Sequence, residues 1–470
     1  MASRTWIGTA SLTILAACSL APPYSAPPPV PTAAAYKELG PWRPAMVAVP
    51  LAGAWWEAFG DAILSDLENR IERANPDLAA AGARYDAARA AIGEARAARF
   101  PQLDLAASIA RTRVSADRPL ALNGAATYND VVIGPSLAYE LDLFGRVRNS
   151  VRASEADAQA SAGDLAATRL ALQANLADSY YQMRGLDARI TLLRQTVQAF
   201  QRAFELTDTR HTGGIASGID VSRAAAQLGS ARAELEAVAG DRAAFEHAIA
   251  ALVGESPSTF ALPVAGALPS PPEVPVGIPS ELLQRRPDVA AAERRIAAAN
   301  ARIGVARAAL YPSLTLGASA GVESVAGDVF NASNFFWALG PVQAALSIFD
   351  GGARRARVRI SRAQYEEAAA NYRATVLAAF REVEDDLARA RAAAAQEREQ
   401  QAATRAAEKT RDLALIRYRD GASDYLEVTV AQAAALDAER ALLAIGTRRL
   451  QLAVDTARAV GGTGAAPSAP

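Results

Sequence analysis

The sequence predicts a mainly α-helical protein with a membrane β-barrel portion, built from two copies of an αββαα repeat. Three observations predict this class. Landmarks recur about two hundred residues apart, proline-free helical stretches are unusually long, and each copy holds two segments in which apolar and polar residues alternate. The duplication comes first, because an internal period changes how every local motif is interpreted.

Paired prolines make the duplication visible. Pro76 and Pro101 bracket one alanine- and arginine-rich stretch, and Pro287 and Pro312 bracket another with the same spacing of 25 positions. Other landmarks recur in the same order: Gly134-Pro135 and Gly340-Pro341, Leu143-Phe144-Gly145 and Ile348-Phe349-Asp350-Gly351, then Asp220-Val221 and Glu427-Val428. The two copies therefore differ only by short insertions or deletions.

Long helices are predicted in both copies, because six stretches lack internal proline and are rich in strong helix formers. They are 77–99, 146–210 and 219–253 in the first copy, and 288–310, 353–419 and 424–460 in the second. The stretch 146–210 alone would rise roughly 100 Å. Its apolar residues form the two rows of a heptad seam: Leu176, Met183, Ile190, Val197 and Phe204, then Leu186, Leu193 and Phe200. An ordinary amphipathic core helix is the alternative, and the length argues against it.

Four segments read as outer-membrane strands, at about 103–113, 131–143, 313–323 and 336–348. Apolar residues occupy every second position in each, which is typical of strands with one lipid-facing side. Two ordinary hairpins on a protein core are the alternative. Since four strands cannot close a barrel and open edges are not tolerated in hydrocarbon, other copies of the chain must complete it.

The N-terminus is predicted to be a lipoprotein signal. Arg4 precedes the apolar stretch 6–17, and small residues lead directly to Cys18, the only cysteine. We expect Cys18 to become the mature N-terminus and to carry N-palmitoyl and S-diacylglycerol groups, which anchor the chain stably to a membrane. A chance cysteine inside an ordinary signal is the alternative. The proline-rich segment that follows is expected to be an extended tether.

The predicted organisation follows from these boundaries. It comprises a signal peptide at 1–17, an acylated N-terminus and tether at 18–54, a first repeat at 55–254, an inter-repeat linker at 255–279, a second repeat at 280–461 and a flexible tail at 462–470.

The sequence has few residues in patterns that are typical of catalytic sites, so we expect no enzyme, no metal site and no cofactor beyond the lipid. His211 and His247 are the only histidines, and no zinc-protease, P-loop or nucleophile-elbow motif occurs. We expect His211 at the surface beside a turn and His247 in a helical core. The net charge of −1 and the absence of a basic run with interleaved aromatics argue against nucleic acid.

Taken in order, the motifs resemble the outer-membrane factors of tripartite efflux and type I secretion, the TolC/OprM-like family, and most closely its lipoprotein (NodT-type) branch. The resemblance covers 18–461 and rests on Cys18-Ser-Leu-Ala-Pro-Pro-Tyr24, Trp55-Trp56-Glu-Ala-Phe59, Asn75-Pro-Asp-Leu78, Phe100-Pro-Gln-Leu103, Leu141-Asp-Leu-Phe-Gly145, Arg285-Arg-Pro-Asp288, Tyr311-Pro-Ser-Leu314 and Phe349-Asp-Gly-Gly352. It implies a homotrimer sharing a twelve-stranded β-barrel above a long periplasmic α-helical barrel.

The resemblance also implies a function and partners. The protein would be a passive exit duct in the outer membrane, anchored by lipid and extending into the periplasm. It would receive substrates from a periplasmic adaptor (membrane fusion) protein and an inner-membrane pump, of the resistance-nodulation-division class for this branch. The exported compounds are not encoded in these motifs. A non-conducting periplasmic coiled-coil lipoprotein that scaffolds the envelope is the alternative function, and the alternating strands disfavour it.

In this family the periplasmic tips of the helix hairpins meet the adaptor and close the pore. The resemblance implies that the tip residues Gly213, Gly214, Gly421 and Ser423 contact the adaptor. Turn geometry alone also explains glycines at such places.

The gate implied by the resemblance surrounds the second tip. The family places a tyrosine three residues before the tip glycine, often an arginine two before it, and aspartates six and nine after it. This chain has Tyr418, Arg419 and Glu427 at the first three places, whereas Val430 departs from the pattern and removes one acidic ring. We therefore expect weaker cation binding in the closed pore. A solvated pair of Arg419 and Glu427, worth less than about 1 kcal/mol, is the alternative.

Overall fold

The computed structural model describes residues 19–25, 31, 33–39, 54–117, 125–272, 274, 279, 285–325 and 329–462. The predicted signal peptide and the lipidation site Cys18 lie outside the described residues. The described residues fall into two compact units. One lies within Met1–Pro28, Arg84–Ala162 and Ala291–Arg373, and the other within Pro29–Ala83, Gly163–Ala290 and Ala374–Pro470.

Helices and strands follow one another in the duplicated order that the sequence predicts. In the described part of the chain they are α1 Ala62–Ala74, α2 Pro76–Ala97, β1 Gln102–Val114, β2 Ala126–Leu141, α3 Arg146–Thr212, α4 Gly218–Leu252, α5 Pro287–Ala308, β3 Ser313–Ser324, β4 Phe335–Ala345, α6 Ala353–Arg419 and α7 Tyr425–Ala459. From α2 to α4 and again from α5 to α7, the order is helix, strand, strand, helix, helix. The αββαα repeat is thus confirmed.

Helix α1 is an element that the sequence analysis did not separate from the repeat. The Asp61 side chain caps its start by accepting hydrogen bonds from the backbone N–H groups of Ile63 and Leu64, at 2.9 and 3.1 Å. Its inner face buries Leu64 and Leu67. An N-cap aspartate before an apolar residue is a helix-start signal, and here it identifies a helix that the repeat pattern alone does not.

The strand bounds differ from those predicted at two places. Strand β2 begins at Ala126, five residues before the predicted start, and ends at Leu141. Strand β4 begins at Phe335 and ends at Ala345, so Leu346 and Ile348 lie beyond it.

The four strands form one antiparallel sheet in the order β1-β2-β3-β4. Residues paired directly across antiparallel strands share a face, so the register decides whether the alternating patterns align. They do: one row runs Leu103, Leu137, Ala318 and Leu339 across all four strands. A single apolar face therefore spans the sheet.

A bulge keeps that face continuous in β4. Leu339 pairs with Ala318, and Val342 pairs with Leu316, so the register shifts by one residue at Gly340-Pro341. Without the shift, residues before and after it would point to opposite faces. With it, Trp337 and Leu339 stand on the same face as Val342, and all three are largely exposed.

Glycine allows β2 and β3 to come together at their middle. A Cβ atom at Gly134 would lie 2.0 Å from the Ala320 carbonyl oxygen, and one at Gly321 would lie 2.4 Å from the Ile133 carbonyl oxygen. Neither position can accept a side chain, because backbone already occupies the space.

The second unit contains the main apolar core. It gathers side chains from α1, the middle of α3, the end of α4 and the end of α7: Leu64, Leu67, Ile71, Leu176, Tyr180, Tyr181, Met183, Ile249, Leu450 and Val454. Trp55 and Trp56 close one side of this core. None of the helices in the described ranges is both long and apolar enough to cross a membrane.

The predicted heptad seam of α3 packs against α4. Ile190 and Leu193 form a cluster with Val238, and Phe200 packs with Leu228 and Ala231. Helices α3 and α4 are called the first hairpin below, and α6 and α7 the second hairpin.

Candidate functional site at the helix-hairpin tips

The tip of the first hairpin is a Schellman turn. Gly214 has a φ of 76°, a left-handed conformation that strains residues with a Cβ atom. Its N–H donates to the His211 carbonyl at 2.8 Å, and the next N–H, from Ile215, donates to the Arg210 carbonyl at 2.8 Å. These bonds satisfy carbonyls that the helix end would otherwise leave without partners.

The second hairpin repeats the same turn. Gly421 also has a φ of 76°. It donates to the Tyr418 carbonyl at 3.0 Å, and the Ala422 N–H donates to the Arg417 carbonyl at 2.8 Å. The duplication that the sequence shows is thus reproduced at the level of individual hydrogen bonds.

Each returning helix begins with an equivalent cap. Ser217 and Asp220 form a reciprocal capping box at the start of α4. At the start of α7 the Asp424 side chain accepts a hydrogen bond from the Glu427 N–H at 3.1 Å. Glu427 therefore occupies the third helical position, equivalent to Asp220, where a carboxylate also favours the positive helix start.

An arginine from the first hairpin fastens the end of the second. Arg210 Nη1 donates to the Tyr418 carbonyl at 2.7 Å, and its guanidinium carbon lies 4.7 Å from the centre of the Tyr418 ring. That ring packs edge-on to Tyr425, with centroids 5.3 Å apart. Cation–π contact and helix-end capping both favour this arrangement.

Burial changes the pKa of one phenol in this aromatic cluster. It raises the pKa of Tyr425 to about 12, with smaller contributions from Tyr418 and Asp220. The phenol therefore stays neutral at physiological pH.

The predicted gate residues are distributed unequally. Tyr418 is buried, whereas Arg419 and Glu427 are exposed. Arg419 Nε lies 3.9 Å from Asp420 Oδ1, and Glu427 Oε1 lies 3.7 Å from Arg417 Nε. Within one chain, Arg419 and Glu427 thus each lie in a loose, exposed pair with another residue.

The predicted adaptor-contacting residues lie at the two turns. Gly213, Gly214 and Gly421 are exposed, and Ser423 is half-buried. Large apolar side chains are exposed beside them, with 74% of Ile215 and 62% of Val430 accessible. The tips thus expose apolar side chains on both hairpins.

The two histidines have separate positions. His211 is exposed, as predicted, and its Nδ1 atom lies 2.8 Å from the Ala216 carbonyl oxygen. His247 is also exposed, so the prediction of a core position is wrong. Helix α4 turns this side chain away from the buried row that contains Ile249. In the described ranges no group of three or more His, Cys, Asp or Glu residues could hold a metal ion.

Arg210 is the site residue that sequence reasoning missed. Its signal was its place four residues before the tip glycine, equivalent to Arg417 before Gly421. Position alone does not reveal which arginine reaches the other hairpin.

Comparison with known proteins identifies the family. The chain matches the family described as outer membrane efflux protein over residues 67–255 and 278–462, which covers both repeats. This chain belongs to the outer membrane efflux protein family.

Its relatives and structural neighbours agree with this assignment. The chain is 34% identical over 455 residues to the antibiotic efflux pump outer membrane protein ArpC of Pseudomonas putida, covering 96% of this chain and 93% of ArpC. It is 34% identical over 453 residues to outer membrane protein OprJ of Pseudomonas aeruginosa, covering 95% and 93%. The outer-membrane channel OprN superposes with a TM-score of 0.87 at 30% identity, covering 95% of this chain and 99% of OprN.

These findings establish the class of the protein. It is an outer-membrane channel component of an efflux pump, with the fold of the solved outer-membrane channels. Its family consists of efflux ducts.

Proposed function

We propose that this chain is a lipid-anchored, trimeric exit duct that opens at its periplasmic hairpin tips when an adaptor protein docks. The observation that carries the proposal is the four-stranded sheet with one apolar face. In the part of the chain that the structure describes, β1 and β4 each pair on one side only. Exposed strand edges are not stable in hydrocarbon.

Association with further copies satisfies those edges. Three chains would supply twelve strands and close a barrel, with β1 of one copy beside β4 of the next. The apolar row on β1 supports a lipid-facing outer surface, because Leu103, Leu105 and Ile109 are each more than 70% exposed in the single chain.

The first described residues after Cys18 support a lipid anchor. Ser19 Oγ donates to Asn149 Oδ1 at 3.2 Å, near the start of α3, and Arg307 Nη1 donates to the Leu20 carbonyl at 3.3 Å, near the end of α5. Both helix ends adjoin the sheet. We propose N-palmitoyl and S-diacylglycerol groups on Cys18. Palmitate incorporation should be lost in Cys18→Ser, and incorporation that persists would refute the anchor.

Gating follows from how the tips are held. Within one chain Arg210 links the two hairpins, while Arg419 and Glu427 are exposed and only loosely paired. In the trimer we assign Arg419 and Glu427 to contacts between neighbouring tips. An adaptor that binds the separated tips more tightly shifts the closed–open equilibrium. Val430 supplies an apolar ring where the family pattern has an aspartate.

The proposed partners are a periplasmic adaptor and an inner-membrane pump of the resistance-nodulation-division class. ArpC is named for antibiotic efflux, and we propose small organic compounds as the exported class. The competing function is a non-conducting envelope scaffold, which has no need of the apolar sheet face.

Planar-bilayer conductance of the purified, lipidated protein tests the duct, with its mass measured in the same detergent. We expect a trimer with small, mostly closed conductance that rises in Arg419→Ala and Glu427→Ala. Arg84→Ala, which changes an exposed arginine on α2, should leave conductance unchanged. A monomer without conductance in any variant supports the scaffold. A conducting trimer insensitive to both tip variants keeps the duct and removes these residues from the gate.

A further inference from the structure

A cavity of about 550 Å³ lies between α3 of the first hairpin and α7 of the second, well away from the tips. Three arginines line it, together with polar groups from both helices: Arg189, Arg440, Arg448, Gln182, Thr447 and Gln451. None of the described residues that line it is acidic. The described residues that line the cavity therefore carry three positive charges and no negative charge.

In the described part of the chain, three carboxylates bond to lining side chains without lining the cavity themselves: Glu234, Asp437 and, through Gln451, Asp178. Glu234 on α4 is shared: its Oε1 atom accepts from Arg189 Nη2 at 2.7 Å, and its Oε2 atom also contacts Arg440. The second acidic partner of Arg440 is Asp437, whose side chain is 74% exposed, so water screens that pair. Two arginines are thus held near each other by one half-buried carboxylate, that of Glu234.

The Nε atom of each of these two guanidinium groups is a buried donor. Among the described residues, none accepts a hydrogen bond from Arg189 Nε or Arg440 Nε, although both atoms are buried. Buried donors without acceptors are rare and destabilising. Burial and the nearby Arg189 also lower the pKa of Arg440, which is the signature of a cation short of negative charge.

We propose that this cavity is a binding site for a small oxyanion, a phosphate or carboxylate group held between Arg189 and Arg440. Planar guanidinium groups match the oxygens of such anions and form charge-assisted hydrogen bonds with them. Gln182 offers a further polar contact around the anion, whereas the Gln451 Nε2 atom already donates to Asp178 Oδ1 at 2.6 Å. The site is independent of the gate proposed above.

The geometry gives the anion a structural role. Arg189 belongs to the first hairpin and Arg440 to the second, so an anion bound by both joins the hairpins. The two helices are already in contact where Gly185 faces Thr447, because a Cβ atom at Gly185 would overlap the Thr447 side chain.

Calorimetric titration of the full-length protein with sodium phosphate tests the site, at constant ionic strength maintained with sodium chloride. We expect saturable binding of one phosphate per chain. Binding should weaken at least tenfold in Arg189→Gln and Arg440→Gln. Arg448→Gln, which removes an exposed charge from the same cavity, covers the case in which the first two variants do not fold, and it should also weaken binding. A parallel titration with succinate distinguishes carboxylate from phosphate, and saturable binding of either supports the site.

Arg232→Gln is the matched control, because Arg232 lies on α4 outside the cavity and bonds Gln201 at 2.8 Å. Its affinity should equal that of the unmodified protein. Heats that never saturate, or affinities that are the same in every variant, would overturn the proposal. The readout does not depend on conductance, so it can fail while the duct stands.

Discussion

Asp187 shows how one buried side chain organises the second unit. Its carboxylate is fully buried and accepts hydrogen bonds from Arg184 Nη1 and Arg242 Nε, each at 2.9 Å, and from the Ala265 N–H at 3.1 Å. The same two arginines also donate to the Pro263 and Leu262 carbonyls, respectively, at 2.7 Å. One carboxylate thus ties α3, α4 and the inter-repeat linker together.

Asp187→Asn should be strongly destabilising, because it leaves the buried Arg184 guanidinium without its anion and leaves Arg242 with Glu246 alone. The loss expected on breaking such a buried network is about 3 kcal/mol. Thermal unfolding followed by helical circular dichroism measures it, and limited proteolysis should reveal faster cleavage in the linker. Asp437→Asn, at an exposed pair on α7, should stay within about 0.5 kcal/mol. Equal effects of the two variants would contradict this role for Asp187.

Glu68 illustrates the opposite case, a buried carboxyl without a partner. It is fully buried in α1, and among the described residues neither of its oxygens has a hydrogen-bond partner. Burial, with a contribution from Glu72, raises its pKa from 4.5 to about 9. The folded protein therefore keeps this proton at pH values where the unfolded chain has released it.

The sign of the pH dependence follows from linkage. The stability that protonated Glu68 supports is complete below about pH 4.5 and is lost as the pH rises towards about 9. Glu68→Gln has no proton to lose, so its unfolding midpoint should exceed that of the unmodified protein increasingly from pH 5 to pH 9. The gain at pH 7 should be about 3 kcal/mol, because pH 7 lies 2.5 units above the ordinary pKa of 4.5 and each unit corresponds to about 1.4 kcal/mol. Glu236→Gln, at an exposed glutamate on α4, should show no such trend. A constant difference across this range would exclude titration of Glu68 as the cause.

At the scale of the element, the turns at the hairpin tips can be tested by replacing glycines with positive and with negative φ. Gly214→Ala and Gly421→Ala place a Cβ atom on a left-handed residue, which costs about 1–2 kcal/mol. We expect amide exchange in the turn peptides to accelerate roughly 5–30-fold, measured by hydrogen–deuterium exchange mass spectrometry.

Gly213→Ala is the control in the same turn. Gly213 is not among the residues with positive φ, and a Cβ atom there would lie 3.5 Å or more from its neighbours. Its exchange should match that of the unmodified protein. If all three variants behave alike, the turn conformation does not limit opening at the tips.

Strand β4 shows where pattern reading succeeded and where it stopped. Alternation predicted its C-terminal half correctly, because Val342 and Ala344 stand on the apolar face. In the N-terminal half the apolar face carries odd-numbered residues such as Trp337, which the even-numbered pattern did not include. The predicted bounds of about 336–348 also differ from the observed strand Phe335–Ala345. An alternating pattern predicts a strand face only while the register is constant. A bulge shifts the register by one residue without a change in composition that would reveal the shift.

At the scale of the whole molecule, the duplicated halves are joined by contacts that differ between the copies. Arg210 reaches the end of α6, while its equivalent Arg417 lies beside Glu427. A symmetrical sequence feature thus produces an asymmetrical link between hairpins. Because this link is internal to one chain, it constrains how far the hairpins can separate.

Arg210→Gln should loosen the two hairpins and raise the open probability of the channel several-fold. The variant loses both the bond to the Tyr418 carbonyl and the cation–π contact, together worth about 1–2 kcal/mol. Single-channel recording measures the change. Arg202→Gln, at an exposed position on the same helix, is the control. An unchanged open probability in Arg210→Gln, with tip exchange also unchanged, would remove this link from the gating mechanism.

The sequence by itself determined the duplication, the helices of both repeats, the alternating strands and the family, because periodicity and ordered landmarks are local properties of the chain. Only the tertiary structure decided which side chains meet. The Arg210 contact with Tyr418, the bonds from Arg242 and Ala265 to Asp187, and the arginines that share Glu234 all join residues far apart in sequence. Such pairings depend on helix rotation and strand register, which packing sets for the molecule as a whole.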